Sequence, residues 1–148
     1  MSKVSEVMQR DVFSVTPTTS IIDIARKMRN CKAEIITVCE NGKYRGVVTR
    51  EDIIDCIASA NHSPKRQSAG ALMHNGLPKI SPGADIIDAA KIMAKHESQY
   101  MPVVQNGKLF GILTLDNLLY ESPALAVVVL TKQNESKFKN TPELARVS

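Results

Sequence analysis

Hydrophobic residues in the first sixty positions change their period at recognisable points. Val12–Val15 reads as a short strand, halted by Pro17. From Ser20 onward Ile21, Ile24, Ala25 and Met28 fall at i, i+3, i+4 and i+7, the stripe of an amphipathic helix. Asp23 lies three residues after Ser20, a capping box with Asp in the Glu position. Two strands follow, Glu34–Cys39 and Tyr44–Val48, around Asn41-Gly42. Asn-Gly tolerates the positive φ that a tight hairpin demands. A closing helix carries Ile53, Ile54 and Ile57.

The same order returns further along. Sliding the sequence by 65 residues aligns Met8–Cys56 with Met73–Glu121 without a gap, and 13 of the 49 pairs are identical. They include Pro17/Pro82, Asp23/Asp88, Met28/Met93, Asn41/Asn106, Gly46/Gly111 and Thr49/Thr114. The second copy has the stripe Ile86, Ala89, Ala90, Met93 behind Asp85 and Asp88. Its strands Tyr100–Val104 and Leu109–Leu113 flank Asn106-Gly107, and Leu118 and Leu119 mark its closing helix. One register held across every element is an internal duplication. A copy of about 50 residues has too little core to stand alone comfortably. The expected fold is therefore α/β (α+β), two β-α-β-β-α repeats packed sheet to sheet with pseudo-two-fold symmetry. Its parts are repeat 1 over 1–60, a linker over 61–69, repeat 2 over 70–121 and a tail over 122–148.

Composition narrows the function. With aromatics at 4% and no Trp, the core must be aliphatic. The net charge of +4 is spread thinly: nine Lys/Arg against eight Asp/Glu in 1–60, six against five in 61–121, four against two beyond. That distribution argues against a nucleic-acid binder, which concentrates its cations. The longest apolar run, Ala124–Leu130, cannot span a bilayer, and MSKVSEVMQR lacks the apolar segment of a secretion signal. A cytoplasmic protein without membrane contact is expected. Cys31, Cys39 and Cys56 form no C-x-x-C and read as free thiols. His62, His74 and His96 have no metal-ligand spacing, and no phosphate-loop or nucleophile-elbow motif occurs. No catalytic constellation is visible, so the chain is read as a non-enzyme with neither metal nor cofactor.

The informative segment opens each closing helix. Copy one has Gly46-Val47-Val48-Thr49-Arg50-Glu51-Asp52 and copy two Gly111-Ile112-Leu113-Thr114-Leu115-Asp116-Asn117. Thr with Asp or Asn three residues on is how many helices are capped. The same geometry suits a ligand, because a helix N-terminus offers free N–H groups and a positive dipole end to a phosphate. A carboxylate one turn in can accept both hydroxyls of a ribose. The readings are compatible, with capping in the empty protein and binding in the filled one.

The order Val7-Met8, Val15-Thr16-Pro17, Ile/Ala/Met helix, hairpin, G-h-h-T-x-x-[DN], present twice over residues 4–121, resembles the cystathionine-β-synthase (CBS) domain. The resemblance implies a stand-alone tandem pair that senses an adenosine-containing ligand: AMP, ADP, ATP, S-adenosylmethionine or a related compound. It implies a homodimer of pairs, and an effector protein on a separate chain. Carried over by position, Thr49 and Asp52 hold phosphate and ribose in one cleft, Thr114 and Asn117 in the other. Adenine lies against Ser14, Val15 and Thr16, or Lys79, Ile80 and Ser81. Ile35 and Ile36, or Tyr100 and Met101, form an apolar wall. Asp52 is the stronger acceptor, being charged where Asn117 is neutral. Nucleotide-sensing members often place His or Arg just before the second-strand apolar-Pro-Val segment, where this chain has Gln99 and Glu34. Arg50, Lys79, His74 or Lys65-Arg66 would have to supply that charge. Two other functions compete: RNA or DNA binding, from the basic balance, and a scaffold with degenerate clefts. The apolar segment Ala124–Leu130 is expected to pack on its own pair, in preference to adding a strand or covering a partner, and Lys132–Ser148 to be poorly ordered.

Overall fold

The computed structural model describes residues 2–59 and 67–139; the expected linker positions 61–66 and the tail beyond 139 lie outside them. The first copy runs α1 (Val4–Val7), β1 (Ser14–Val15), α2 (Ile21–Cys31), β2 (Ile35–Glu40), β3 (Lys43–Thr49) and α3 (Arg50–Ala58). The second runs α4 (Ala69–Leu72), α5 (Ile86–His96), β4 (Tyr100–Gln105), β5 (Lys108–Thr114) and α6 (Leu115–Glu121), and α7 (Pro123–Lys139) follows. The mixed α/β character and the two repeats are as expected.

Local chemistry places the boundaries. Ser20 Oγ accepts the Asp23 N–H at 3.2 Å and starts α2; Asp85 Oδ1 accepts the Ile87 N–H at 2.9 Å and starts α5. Both hairpins turn through left-handed Asn-Gly pairs, Asn41 and Gly42 at φ 53° and 77°, Asn106 and Gly107 at 53° and 78°. In the first copy β1 runs parallel to β2 and β2 antiparallel to β3. The second copy departs from the expected three strands: β4 and β5 form a two-stranded sheet, and the third position shrinks to the single bridge Ile80–Val103. The cause is one residue. The Thr37 N–H donates to Phe13 O at 3.0 Å and lengthens the parallel pairing. Its counterpart Pro102 has no N–H to give.

Packing does not follow the chain order. One unit comprises residues 1–10, 77–105 and 110–148; the other comprises 11–76 and 106–109. Each repeat's opening segment thus docks on the body of the other. In the first unit the Val4 N–H donates to Ala84 O (2.8 Å), Ser5 N–H to Pro82 O (3.0 Å) and Ile86 N–H to Ser2 O (3.1 Å). In the second, Ala69 N–H donates to Thr19 O (2.8 Å), Gly70 N–H to Pro17 O (2.8 Å) and Ile21 N–H to Gln67 O (3.1 Å). These are the same bonds displaced by 65 residues. Each segment then pairs with the last strand of the body, Gln9 with Ile112 and His74 with Val47. Gly46 and Gly111 stand at those crossings.

Both cores are aliphatic. Ile21, Ile24, Ile36, Val38 and Val48 anchor one; Ile86, Met93, Met101, Leu113 and Leu118 anchor the other. Cys31 is exposed, Cys39 half-buried and Cys56 buried, all as free thiols.

Ala124–Leu130 packs on its own pair, as preferred, but as part of helix α7 and not as the alternative strand. Pro123 sits at the first helical position, where its missing N–H costs nothing. Ala126, Val129 and Gln133 are buried at i, i+3 and i+7, packed with α5 and α6, so tertiary burial overrides the β-preference of the Val run. The order expected to fail at Lys132 also extends further, since the helix continues to Lys139.

Burial raises the Tyr44 phenol to about 12, with nearby Cys39 adding to the rise. Below about pH 10 the phenol is neutral in both folded and unfolded chains and has no effect. Between the two values the unfolded chain ionises and the folded one does not, so stability falls as pH rises. In a melting series from pH 8 to 12, Tyr44→Phe should remove that part of the decline and leave the neutral-pH slope unchanged.

Candidate functional site

The start of α3 is built by reciprocal hydrogen bonds. The Thr49 N–H donates to Asp52 Oδ2 at 2.7 Å, and the Asp52 N–H donates to Thr49 Oγ1 at 3.2 Å. Thr49 remains extended at φ −98°, ψ 165°, so the strand ends and the helix begins at one residue. At the start of α6, Thr114 N–H donates to Asn117 Oδ1 at 2.9 Å and Asn117 N–H to Thr114 Oγ1 at 3.0 Å. The capping expectation therefore holds in both repeats, with charge in the first and none in the second.

A further side chain meets the first carboxylate. His74 Nε2 lies 3.1 Å from Asp52 Oδ2, the oxygen that also takes the Thr49 N–H. The strand pairing brings it there, because His74 exchanges two backbone bonds of 3.0 Å with Val47, two residues before Thr49. Asp52 also lines a cleft of about 400 Å³ with Asp55, Cys56, Ser59, Gln67, Ala71 and Leu72. A polar ligand group entering here meets the Asp52 carboxylate, which His74 contacts at 3.1 Å.

The other expected site residues fall into three places. Ser14 and Thr16 are exposed along the edge strand β1 and the turn after it, with Val15 between them in the core. The Thr37 hydroxyl donates to Phe13 O (2.9 Å), so Ser14 Oγ must donate in its 2.7 Å bond to Thr37 Oγ1, while it accepts from the Cys39 thiol at 3.9 Å. Thr16 Oγ1 lies 2.9 Å from the Thr18 hydroxyl, within the turn. The apolar walls divide by strand alternation. Ile36 and Met101 are fully enclosed in their cores, whereas Ile35 and Tyr100 stay half-buried. In the second repeat Ile80 is buried and Lys79 and Ser81 are exposed.

Arg50 goes elsewhere. Its guanidinium lies 3.9 Å from the Glu34 carboxylate and lines a different groove, between α2 and α3. Lys65 and Arg66 lie outside the described residues. His74, one of the side chains named from sequence, stands against Asp52. Nothing in the spacing of residues 52 and 74 announces this; the backbone pairing of residues 47 and 74 does.

Among the described residues no group of three or more His, Cys, Asp or Glu side chains gathers as a metal site. No described helix is long and apolar enough to cross a membrane.

A family model described as CBS domain matches twice, over residues 4–59 and 69–124. The chain is 39% identical over 127 residues to an uncharacterized protein of Methanocaldococcus jannaschii, covering 86% of this chain and 66% of that one. It is 28% identical over 139 residues to the CBS domain-containing protein YhcV of Bacillus subtilis, covering 90% and 99%. The chain thus spans just under two thirds of the archaeal relative and nearly all of the bacterial one. Among solved structures, CBSX2 in complex with AMP superposes with a TM-score of 0.74 at 23% identity, covering 84% of this chain and 98% of that one.

Proposed function

Because this chain belongs to the CBS-domain family and carries two copies of the domain, we propose that it is a regulatory module, not an enzyme, which binds an adenosine-containing ligand at the head of α3 and signals to a separate effector protein. The observation that carries this is Asp52: a carboxylate held by the Thr49 N–H, with His74 against it, opening on a cleft. A fixed carboxylate accepts hydrogen bonds from the two hydroxyls of a ribose, and the N-terminal dipole of α3 favours an anionic group beside it. The AMP complex of CBSX2, a protein of the same fold, supports adenosine as the ligand class. Arg50 lines another groove, so it does not supply the charge near Asp52 that several phosphates would need. That favours AMP or S-adenosylmethionine over ligands with several phosphates. The module acts as a homodimer in the cytoplasm on this reading, and the neutral Thr114–Asn117 site is the weaker of the two.

The test is a melting panel on the purified chain with AMP, ADP, ATP, S-adenosylmethionine, NAD and a short single-stranded RNA, each at two salt concentrations. A ligand at about a hundred times its Kd stabilises the native state by about 2.7 kcal/mol. For a chain of this size that raises the melting temperature by roughly 5–10 °C. A saturable rise with AMP or S-adenosylmethionine is the expected result. If no adenosine compound moves the melting temperature, the proposal fails; RNA binding that weakens steeply with salt would replace it with the nucleic-acid reading.

A further inference from the structure

An ionised carboxylate has about four lone-pair sites, two on each oxygen, and no proton to give. On Asp52 the two oxygens are used unequally. Oδ2 takes the Thr49 N–H at 2.7 Å and lies 3.1 Å from His74 Nε2, which must be the donor. No described residue donates to Oδ1. A carboxylate free to turn about χ2 exchanges its oxygens, because that torsion is broad. One gripped on Oδ2 from two directions keeps Oδ1 for whatever enters the cleft. The Asp52 and His74 side chains are 25% and 39% exposed, so water has only partial access to the grip.

The imidazole is placed by backbone, not by its own packing. His74 exchanges two 3.0 Å bonds with Val47, and Gly46 permits the approach, since a Cβ there would stand 2.7 Å from His74 O. The duplication supplies a comparison. Gln9 lies 65 residues before His74 and makes the same exchange with Ile112, at 2.8 and 3.0 Å. The crossing residue and the third helical residue differ together between the copies: His74 goes with Asp52, and Gln9 with Asn117. The charged site has the imidazole; the neutral site has a second amide.

We infer that His74 is the positioning residue of the Asp52 site: by holding Oδ2 it fixes Oδ1 toward the cleft and makes the site select ribose over deoxyribose. His74 does not line the cleft itself, so it acts through Asp52. A ribose hydroxyl gives Oδ1 a charge-assisted hydrogen bond, whereas a sugar without hydroxyls leaves that oxygen unpaired. Without His74 the carboxylate turns, and the distinction between the sugars weakens. The inference rests on the adenosine reading and deepens it, by naming the sugar as the part of the ligand this pair discriminates.

The test is calorimetry on the full chain with AMP, S-adenosylmethionine and 2′,3′-dideoxy-AMP. His74→Ala should weaken whichever of the first two the parent binds by roughly tenfold, the size of one hydrogen bond to a charged group. Its affinity for 2′,3′-dideoxy-AMP should stay within about twofold of the parent's, because that sugar never used Oδ1. His74→Gln, which brings in the residue of the other repeat, should restore ribose binding, since its amide N–H can donate to Oδ2. In an Asp52→Asn background His74→Ala should add no further loss. The imidazole is partly exposed and its backbone bonds do not need it, so His74→Ala should melt close to the parent. If it melts early, the ratio of ribose to dideoxyribose affinity in His74→Gln and in Asp52→Asn with His74→Ala still decides. Equal affinity in parent and His74→Ala, equal losses for both sugars, or no rescue by His74→Gln overturns the inference and leaves the adenosine reading standing. A parent that binds none of the adenosine compounds fails that reading first, and the inference falls with it.

Discussion

Gly111→Ala is expected to lower stability by about 2–3 kcal/mol, the upper range for an overpacked core position. A methyl group there would stand 2.5 Å from Gln9 O and 3.1 Å from Met8 Sδ. Gln9 O accepts the Ile112 N–H at 3.0 Å, so the carbonyl cannot retreat without breaking the bond that ties residues 1–10 to the second repeat. Against this, Ala restricts the unfolded chain and returns about 0.4–1 kcal/mol, which is too little to reverse the sign. The melting temperature should fall by roughly 5–10 °C in a chain of this size. Hydrogen exchange should quicken first at Gln9 and Ile112. Gly46→Ala should act alike, because its methyl would lie 2.7 Å from His74 O. Gly83→Ala is the control: nothing lies within 4 Å of the added carbon, and stability should hold or rise slightly. If Gly111→Ala melts with the parent, the close crossing described at that strand does not exist.

Asp52→Asn should weaken the adenosine ligand by roughly tenfold to a hundredfold, the difference between charged and neutral hydrogen bonds to two hydroxyls. The exchange isolates charge from capping. Asn117 already caps α6 through Oδ1 at 2.9 Å, so an amide at residue 52 can cap α3 in the same way. Folded stability should change by less than about 1 kcal/mol. The reverse change, Asn117→Asp, should strengthen the weaker site and raise the stoichiometry seen by calorimetry. Equal affinities for the parent and Asp52→Asn would remove Asp52 from the binding site.

These two predictions rest on features of different legibility. The Thr49–Asp52 and Thr114–Asn117 caps were readable, because capping is a contact over three residues and local spacing determines it. The Asn-Gly hairpins were readable for the same reason, as was the buried stripe of each repeat's first helix. Gly46 and Gly111 were visible as identical pairs, but their purpose was not. Each faces a carbonyl from a segment 28 or 102 residues away in the chain. The Val-rich run in α7 was readable as a segment that packs on its own pair but not as a helix, since β-branched residues favour strands only until a buried helical face outweighs them.

What the sequence determined by itself was therefore what short range determines: the duplication, the periods of the helices and strands, the turns, the caps and the neutrality of the second site. Tertiary structure alone decided which opening segment docks on which repeat, that His74 meets Asp52, that Arg50 lines a different groove, and that α7 packs on α5 and α6. The physical reason is common to all four. Each depends on partners far apart in sequence, brought together by backbone pairing and apolar burial, and no local pattern encodes which distant surface will be the partner.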